Sequence, residues 1–165
     1  MKFMNLVLTR IDNRLIHGQV LEAWVPTINA NCIVVANDKI ANTAMQKLLM
    51  EASVPKGIRV IISTLDEVTG LLESDELGPA RILLLFATSS DALKAQRQGV
   101  AYETLNLGNM HAGAGKVKCS CTIALDADDV ENLKMIEEAG VRIFSQCVPS
   151  DKEVSWQKML RLTKN

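Results

Sequence analysis

Aromatic side chains are scarce, with three Phe, two Trp and one Tyr in 165 residues, so any buried core has to be aliphatic. Basic runs are missing as well. Eighteen Lys and Arg against nineteen Asp and Glu give a net charge of −1 and a pI near 6.1, which lacks the electrostatic footprint of broad nucleic-acid binding. No stretch approaches the run of about 20 apolar residues that a membrane span requires. Residues 1–5 reach Thr9-Arg10 too soon to supply a signal-peptide apolar region, so the expected location is cytoplasmic, with any membrane contact made through a partner. The four cysteines, Cys32, Cys119, Cys121 and Cys147, contain no C-x-x-C pair and no regular spacing, which points to free thiols rather than a disulfide framework.

What is present alternates. Short β-branched runs at 6–11, 32–36, 58–62, 81–86, 104–107, 121–125 and 141–144 read as strands. Ile33-Val34-Val35 and Ile82-Leu83-Leu84-Leu85-Phe86 are apolar on both faces, as strands covered by helices on each side must be. Between the runs, residues 19–28, 43–52, 65–72, 91–98 and 128–139 carry apolar side chains at three- and four-residue spacing, and a last helix is expected over 155–162. Asp126, Asp128 and Asp129 load carboxylates at one helix start, while Gly99 and Gly140 follow helix ends. Pro26 should kink or shorten the first helix. With no linker, repeat or low-complexity stretch, one domain over residues 1–165 is expected: an α/β fold with a mostly parallel sheet, right-handed crossovers and helices on both faces.

Ligands of such sheets sit beyond the carboxyl ends of the strands. Residues 12–17 follow the first strand and end on His17, one of only two histidines in the chain. A neutral imidazole nitrogen is a competent nucleophile toward phosphorus, and the phosphoimidazole it forms is itself a reactive donor. Arg14 and Arg10 can neutralise phosphoryl oxygens with forked hydrogen bonds. The backbone N–H groups of His17, Gly18 and Gln19, at a helix start, add a partial positive field. Asp12 would repel a phosphate and more plausibly orients Arg14 or the imidazole. These residue types equally suit a non-catalytic module that holds a nucleotide or small anion.

Other candidates are weaker. His111 follows another strand end, but it lacks metal partners because Cys119-x-Cys121 has the wrong spacing for a zinc pair. Gly113-Ala114-Gly115-Lys116 departs from the P-loop pattern, with Met110 where the first glycine belongs and Val117 where Ser or Thr belongs. His111 therefore reads as an exposed loop residue outside the catalytic set. Ser63-Thr64, Thr88-Ser89 and Asn37-Asp38 stand at strand-to-helix junctions, where a helix N-cap is the expected role and bordering a phosphate the alternative.

The string from Arg10 to Val20, R-I-D-N-R-L-I-H-G-Q-V, resembles the signature of the enzyme IIB component of the mannose/sorbose class of the phosphoenolpyruvate-dependent sugar phosphotransferase system. Trp24, the 33–38 segment, the Leu105-Asn106-Leu107-Gly108 turn and the stretches at 138–141 and 148–149 follow in the family's order, so the resemblance covers nearly the whole chain. It implies an open, mostly parallel seven-stranded sheet with one antiparallel edge strand. It also implies that His17 accepts a phosphoryl group on Nδ1 from the phosphorylated IIA component. The group then passes to a sugar of the mannose, sorbose, fructose or N-acetylgalactosamine type, held by the membrane IIC and IID components, with a slight lean to an amino sugar. Arg10, Asp12, Asn13, Arg14, Gly18 and Gln19 would support the phosphoryl group, with no cofactor and no metal, and a homodimer is compatible. Serving two large partners in turn, His17 is expected on a protruding, exposed loop. Two departures stand out: Asn13 where the family usually has a second aspartate, and Gly108-Asn109 where it often has paired glycines. Asn109 can supply a left-handed conformation in place of a glycine.

Overall fold

The computed structural model describes residues 5–163, so the ends of the expected 1–165 domain lie outside the described residues. In chain order the elements are β1 (Leu6–Asp12), a π-helical turn (Val20–Trp24) that continues as α1 (Val25–Ile28), β2 (Cys32–Ala36), α2 (Asp38–Ala41), α3 (Ala44–Ala52), β3 (Arg59–Ser63) and α4 (Leu65–Glu73). They are followed by β4 (Ile82–Phe86), α5 (Ser89–Arg97), β5 (Thr104–Asn109), β6 (Val117–Lys118), β7 (Ala124–Leu125), α6 (Ala127–Glu138), β8 (Arg142–Ser145), β9 (Val154–Ser155) and α7 (Trp156–Thr163).

Among the described residues, seven strands form one sheet in the order β3-β2-β4-β1-β5-β8-β9. All neighbours pair in parallel except β9, which runs antiparallel to β8 at one edge. The aliphatic strands do what their composition demands: every residue of β2 and of β4 is buried. Alternate side chains feed two cores, one on each face. Val34, Leu84, Phe86 and Leu105 pack with α4, α5 and α6; Ile33, Val35, Leu83 and Leu85 pack with Val20, Trp24 and Val25. This is the doubly covered parallel sheet expected from the alternating runs.

One strand assignment needs correction. The 121–125 run does not join the main sheet. Cys119 and Ser120 turn back on the Ile123 carbonyl, leaving Ala124–Leu125 to pair with Val117–Lys118 in a separate two-stranded ribbon. The seventh strand is instead Val154–Ser155, too short to give a periodic signal. Nor do residues 105–108 form a turn: β5 runs extended through Gly108 to Asn109.

The punctuation signals act as expected. Gly99 and Gly140 adopt φ of +109° and +99° after α5 and α6, a conformation that favours glycine. Pro26 falls in the first turn of α1, and the helix widens to a π turn just before it; proline carries no amide hydrogen and crowds the carbonyl four residues back. From β1 the chain moves toward β2 and β3, whereas from β5 it moves toward β8 and β9, so the strand order reverses at the carboxyl ends of β1 and β5. That reversal opens the crevice in which open α/β sheets hold ligands.

Candidate functional site

At the reversal, β1 ends on Asp12, whose side chain is fully buried and gathers five donors. Its Oδ2 accepts from Arg10 Nε at 3.2 Å and Nη2 at 3.1 Å, from Asn109 Nδ2 at 2.9 Å and from His17 Nε2 at 2.8 Å. Its Oδ1 accepts the backbone N–H of Arg14 at 3.0 Å. Burial alone would raise this carboxyl. The hydrogen bonds from His17 and Asn109, with the charge of Arg10, outweigh it and hold Asp12 below the usual carboxylate range.

Because a carboxylate only accepts, the contact with His17 makes Nε2 the protonated nitrogen and leaves the lone pair on Nδ1. Nδ1 has no hydrogen-bond partner among the described residues, nor is it one of the buried unpartnered polar atoms. Of the two roles considered for Asp12, the structure realises the imidazole, together with the backbone rather than the side chain of Arg14.

Arg10 departs from expectation. Its side chain is fully buried, and its guanidinium donates to Asp12, to Asn106 Oδ1 at 2.6 Å, to the carbonyls of Gln146 at 3.0 Å and Cys147 at 3.1 Å, and to Gln19 Oε1 at 3.3 Å. All five N–H groups are committed, so none remains for a phosphoryl oxygen. Arg10 lies 5.1 Å from the centre of the Trp24 ring, which in turn donates to the Cys147 carbonyl at 2.9 Å. Burial lowers the guanidinium pKa, opposed by Asp12. The guanidinium charge lies against the buried Asp12 carboxylate at 3.1 Å. Gly108 makes room for it: a Cβ there would stand 2.1 Å from Arg10 Cζ.

The loop does not protrude. Leu15 and Ile16 are buried in the core beneath Trp24, and the His17 side chain is only 7% exposed, contrary to the exposed loop expected of it. Leu15 takes φ of +58°, an unusual conformation for a branched residue, with its N–H on the Asp12 carbonyl at 2.9 Å. Asp12 draws the imidazole inward and Leu15 pins the loop down. The approach is open at Gly18, which is exposed and where a Cβ would meet nothing within 4 Å. Gly18 begins the helix, whose first N–H groups have no intrahelical partners.

The remaining candidates divide. The exposed Arg14 side chain has no ion-pair partner among the described residues. Gln19 turns inward, its Oε1 shared by Arg10 and Asn109 and its Nε2 on Cys147 Sγ at 3.2 Å. The Asn13 backbone bonds to the Asn109 carbonyl, and its side-chain nitrogen contacts His111 Nδ1, bringing His111 beside the His17 loop. Asn109 is not left-handed; its amide serves Asp12 and Gln19 instead. Asn37, Thr64 and Thr88 are N-caps of α2, α4 and α5, as expected, and Ser89 is tied to Asp129 at 2.7 Å. Asn106, Gln146 and Cys147, all bound to Arg10 or Gln19, had no signal in the sequence, because they join the site only through β5 and β8 pairing beside β1.

The residues from 6 to 165 match the family model described as PTS system sorbose subfamily IIB component. The chain is 39% identical over 156 residues to the N-acetylgalactosamine-specific phosphotransferase enzyme IIB component 2 of Escherichia coli K12, covering 94% of this chain and 99% of that one. It is 32% identical over 152 residues to the sorbose-specific EIIB component of Klebsiella pneumoniae, covering 92% and 93%. The crystal structure of the IIBSor domain of the Klebsiella pneumoniae sorbose permease superposes with a TM-score of 0.90 at 31% identity, over 97% of this chain and 98% of that one.

Proposed function

The chain belongs to the sorbose subfamily of phosphotransferase-system IIB components, phosphocarriers in sugar uptake, and from that premise we propose that His17 Nδ1 is the atom that carries the phosphoryl group. The observation that carries this reading is the 2.8 Å bond from His17 Nε2 to Asp12. It fixes the ring proton on the far nitrogen and leaves Nδ1 as a nucleophile. Attack by Nδ1 on the phosphorus of a donor phosphohistidine forms the new P–N bond, and the donor's P–N bond breaks with its electron pair returning to the donor imidazole. The positive charge that appears on the His17 ring is met by the Asp12 carboxylate, which Arg10 and Asn109 hold in place. In the second step a sugar hydroxyl attacks phosphorus and passes its proton to solvent water, the P–N bond to His17 breaks, and Nδ1 recovers its electron pair.

Positioning and charge do most of the work in such transfers. Arg14, whose guanidinium has no ion-pair partner among the described residues, pairs with the phosphoryl oxygens, and the backbone N–H groups of His17, Gly18 and Gln19 complete the cradle. Asn13 braces the loop.

The donor is a phosphorylated IIA component, and the acceptor sugar is held by membrane IIC and IID components. One relative, the mannose-specific EIIAB component of Escherichia coli K12, carries both A and B functions in its name, and this chain covers 49% of it. Among the described residues no helix is long and apolar enough to cross a membrane, which fits a cytoplasmic carrier that reaches the bilayer through those components. The sugar is an amino sugar of the N-acetylgalactosamine type, a choice supported by two relatives of that specificity at 39% and 35% identity. The proposal includes a homodimer: sedimentation equilibrium that finds single chains refutes that part.

Incubation with phosphoenolpyruvate and the upstream proteins should place an acid-labile, alkali-stable phosphate on His17. Labelling that persists in His17→Ala refutes the assignment. A non-catalytic anion-binding module, by contrast, gives saturable nucleotide binding without covalent transfer.

A further inference from the structure

Beside the His17 loop, between it and the β6–β7 ribbon, lies a cavity of about 490 Å³ that shares Asn13 and Arg14 with the phosphoryl cradle and extends away from His17. Its walls include Asn13, Arg14, His111, Lys118, Ser120 and Thr122, and His17 is not among its lining residues. A space of this size is within the usual range of small-ligand sites.

Its charge is one-sided. Arg14 and Lys118 both line it, neither is in an ion pair among the described residues, and no carboxylate faces it. Two uncompensated cations in an acid-free concavity attract an anion with several oxygens. The remaining groups suit hydroxyls. Asn13 Oδ1 is buried without a partner, an acceptor left unsatisfied by the protein itself. Ser120 Oγ accepts the N–H groups of Thr122 and Ile123, which keeps its own proton free to donate. His111 Nδ1 faces the Asn13 side-chain nitrogen, leaving Nε2–H as a donor on an exposed ring. Cys121, exposed, stands on the rim.

We propose that this cavity is a second site, separate from the phosphoryl acceptor, that binds a hexose phosphate: phosphate on Arg14 and Lys118, ring hydroxyls on Asn13, His111 and Ser120. A phosphorylated sugar is what the transfer produces, so the site reports product concentration to the carrier, and its occupancy draws Arg14 away from the phosphoryl group on His17. The choice of ligand rests on the sugar-phosphotransfer reading; the cavity and its charges do not.

Calorimetric titration of the intact, unphosphorylated protein with N-acetylgalactosamine 6-phosphate tests the site without any transfer reaction. Saturable binding is expected, retained in His17→Ala and weakened about tenfold or more in Lys118→Ala, an exposed position whose loss leaves the fold intact. The ligand should also slow alkylation of Cys121 relative to Cys119, read by peptide mass. Binding that vanishes in His17→Ala, that is unchanged in Lys118→Ala, or that inorganic phosphate matches in affinity overturns the proposal, as does an absence of saturation. If His17 fails to become phosphorylated while the hexose phosphate still binds, the acceptor assignment fails and the second site stands.

Discussion

Replacing Gly108 by Ala puts one methyl group where Arg10 already is. The new Cβ would stand 2.1 Å from Cζ, 2.2 Å from Nη2 and 2.5 Å from Nε, so the guanidinium must retreat by about 1.3 Å to reach the 3.4 Å of ordinary contact. It cannot do so freely, because Asp12, Asn106, Gln19 and the carbonyls of Gln146 and Cys147 hold it on every side. Overpacking a tight site costs about 1–3 kcal/mol, and separating one partner from a buried ion pair about 3–5 kcal/mol. Since some of these bonds re-form after the shift, we expect a loss of about 3–5 kcal/mol in urea or thermal unfolding. For a chain of this size that is a fall in Tm of roughly 6–20 °C. Gly70→Ala is the control. It lies inside α4 with nothing within 4 Å of the added methyl, and should be neutral or stabilising by up to about 1 kcal/mol. A Gly108→Ala protein that loses less than about 1 kcal/mol refutes the claim that Arg10 is locked in this pocket.

Asp12→Asn should lower the phosphotransfer rate by about two orders of magnitude or more, as expected for losing the group that orients the nucleophile and fixes its tautomer, and a rate within a factor of three of the parent contradicts that role. The acid side follows from the same carboxylate. Its pKa is depressed in the folded state, so its stabilisation is present above the usual carboxylate value and is lost as pH falls through the lower folded value. The Tm gap between parent and Asp12→Asn should therefore narrow as pH falls through that window. Asp91 carries the opposite sign. Burial, with Asp38 nearby, raises its pKa, so its ionised form opposes folding at neutral pH; Asp91→Asn should raise Tm at pH 7 and lose that advantage in acid. Gly18→Ala meets open space, so its stability should stay within about 0.5 kcal/mol of the parent while transfer slows; an unfolded variant or an unaffected rate counts against an open approach at Gly18.

Most of the fold was legible because two-sided apolar strands such as Ile82–Phe86 and the caps at Thr64, Thr88 and Asp126 are local signals. What escaped was non-local. The β7 pair reads like a sheet strand until the Ser120 turn sends it to β6, and β9, at two residues, carries no period. At the site, the 10–20 string pointed to His17 and Asp12, which the structure brings within 2.8 Å of each other, but not to the direction of Arg10. A buried arginine and a phosphate-binding arginine look identical in sequence. Only the pairing of β1 with β5, which brings Asn106 and Gly108 alongside, tells them apart. The exposure of His17 was misjudged for a similar reason, since the inward pull comes from Asp12 and the left-handed Leu15, and neither is visible in residue type.

The central claim is that Asp12 fixes the proton on His17 Nε2 and so makes Nδ1 the acceptor. Phosphorus–nitrogen correlation by NMR on ring-labelled, phosphorylated protein reads the attachment atom directly. A single P–Nδ1 linkage on His17 is the result predicted here; a P–Nε2 linkage, or a phosphate on His111, would contradict it.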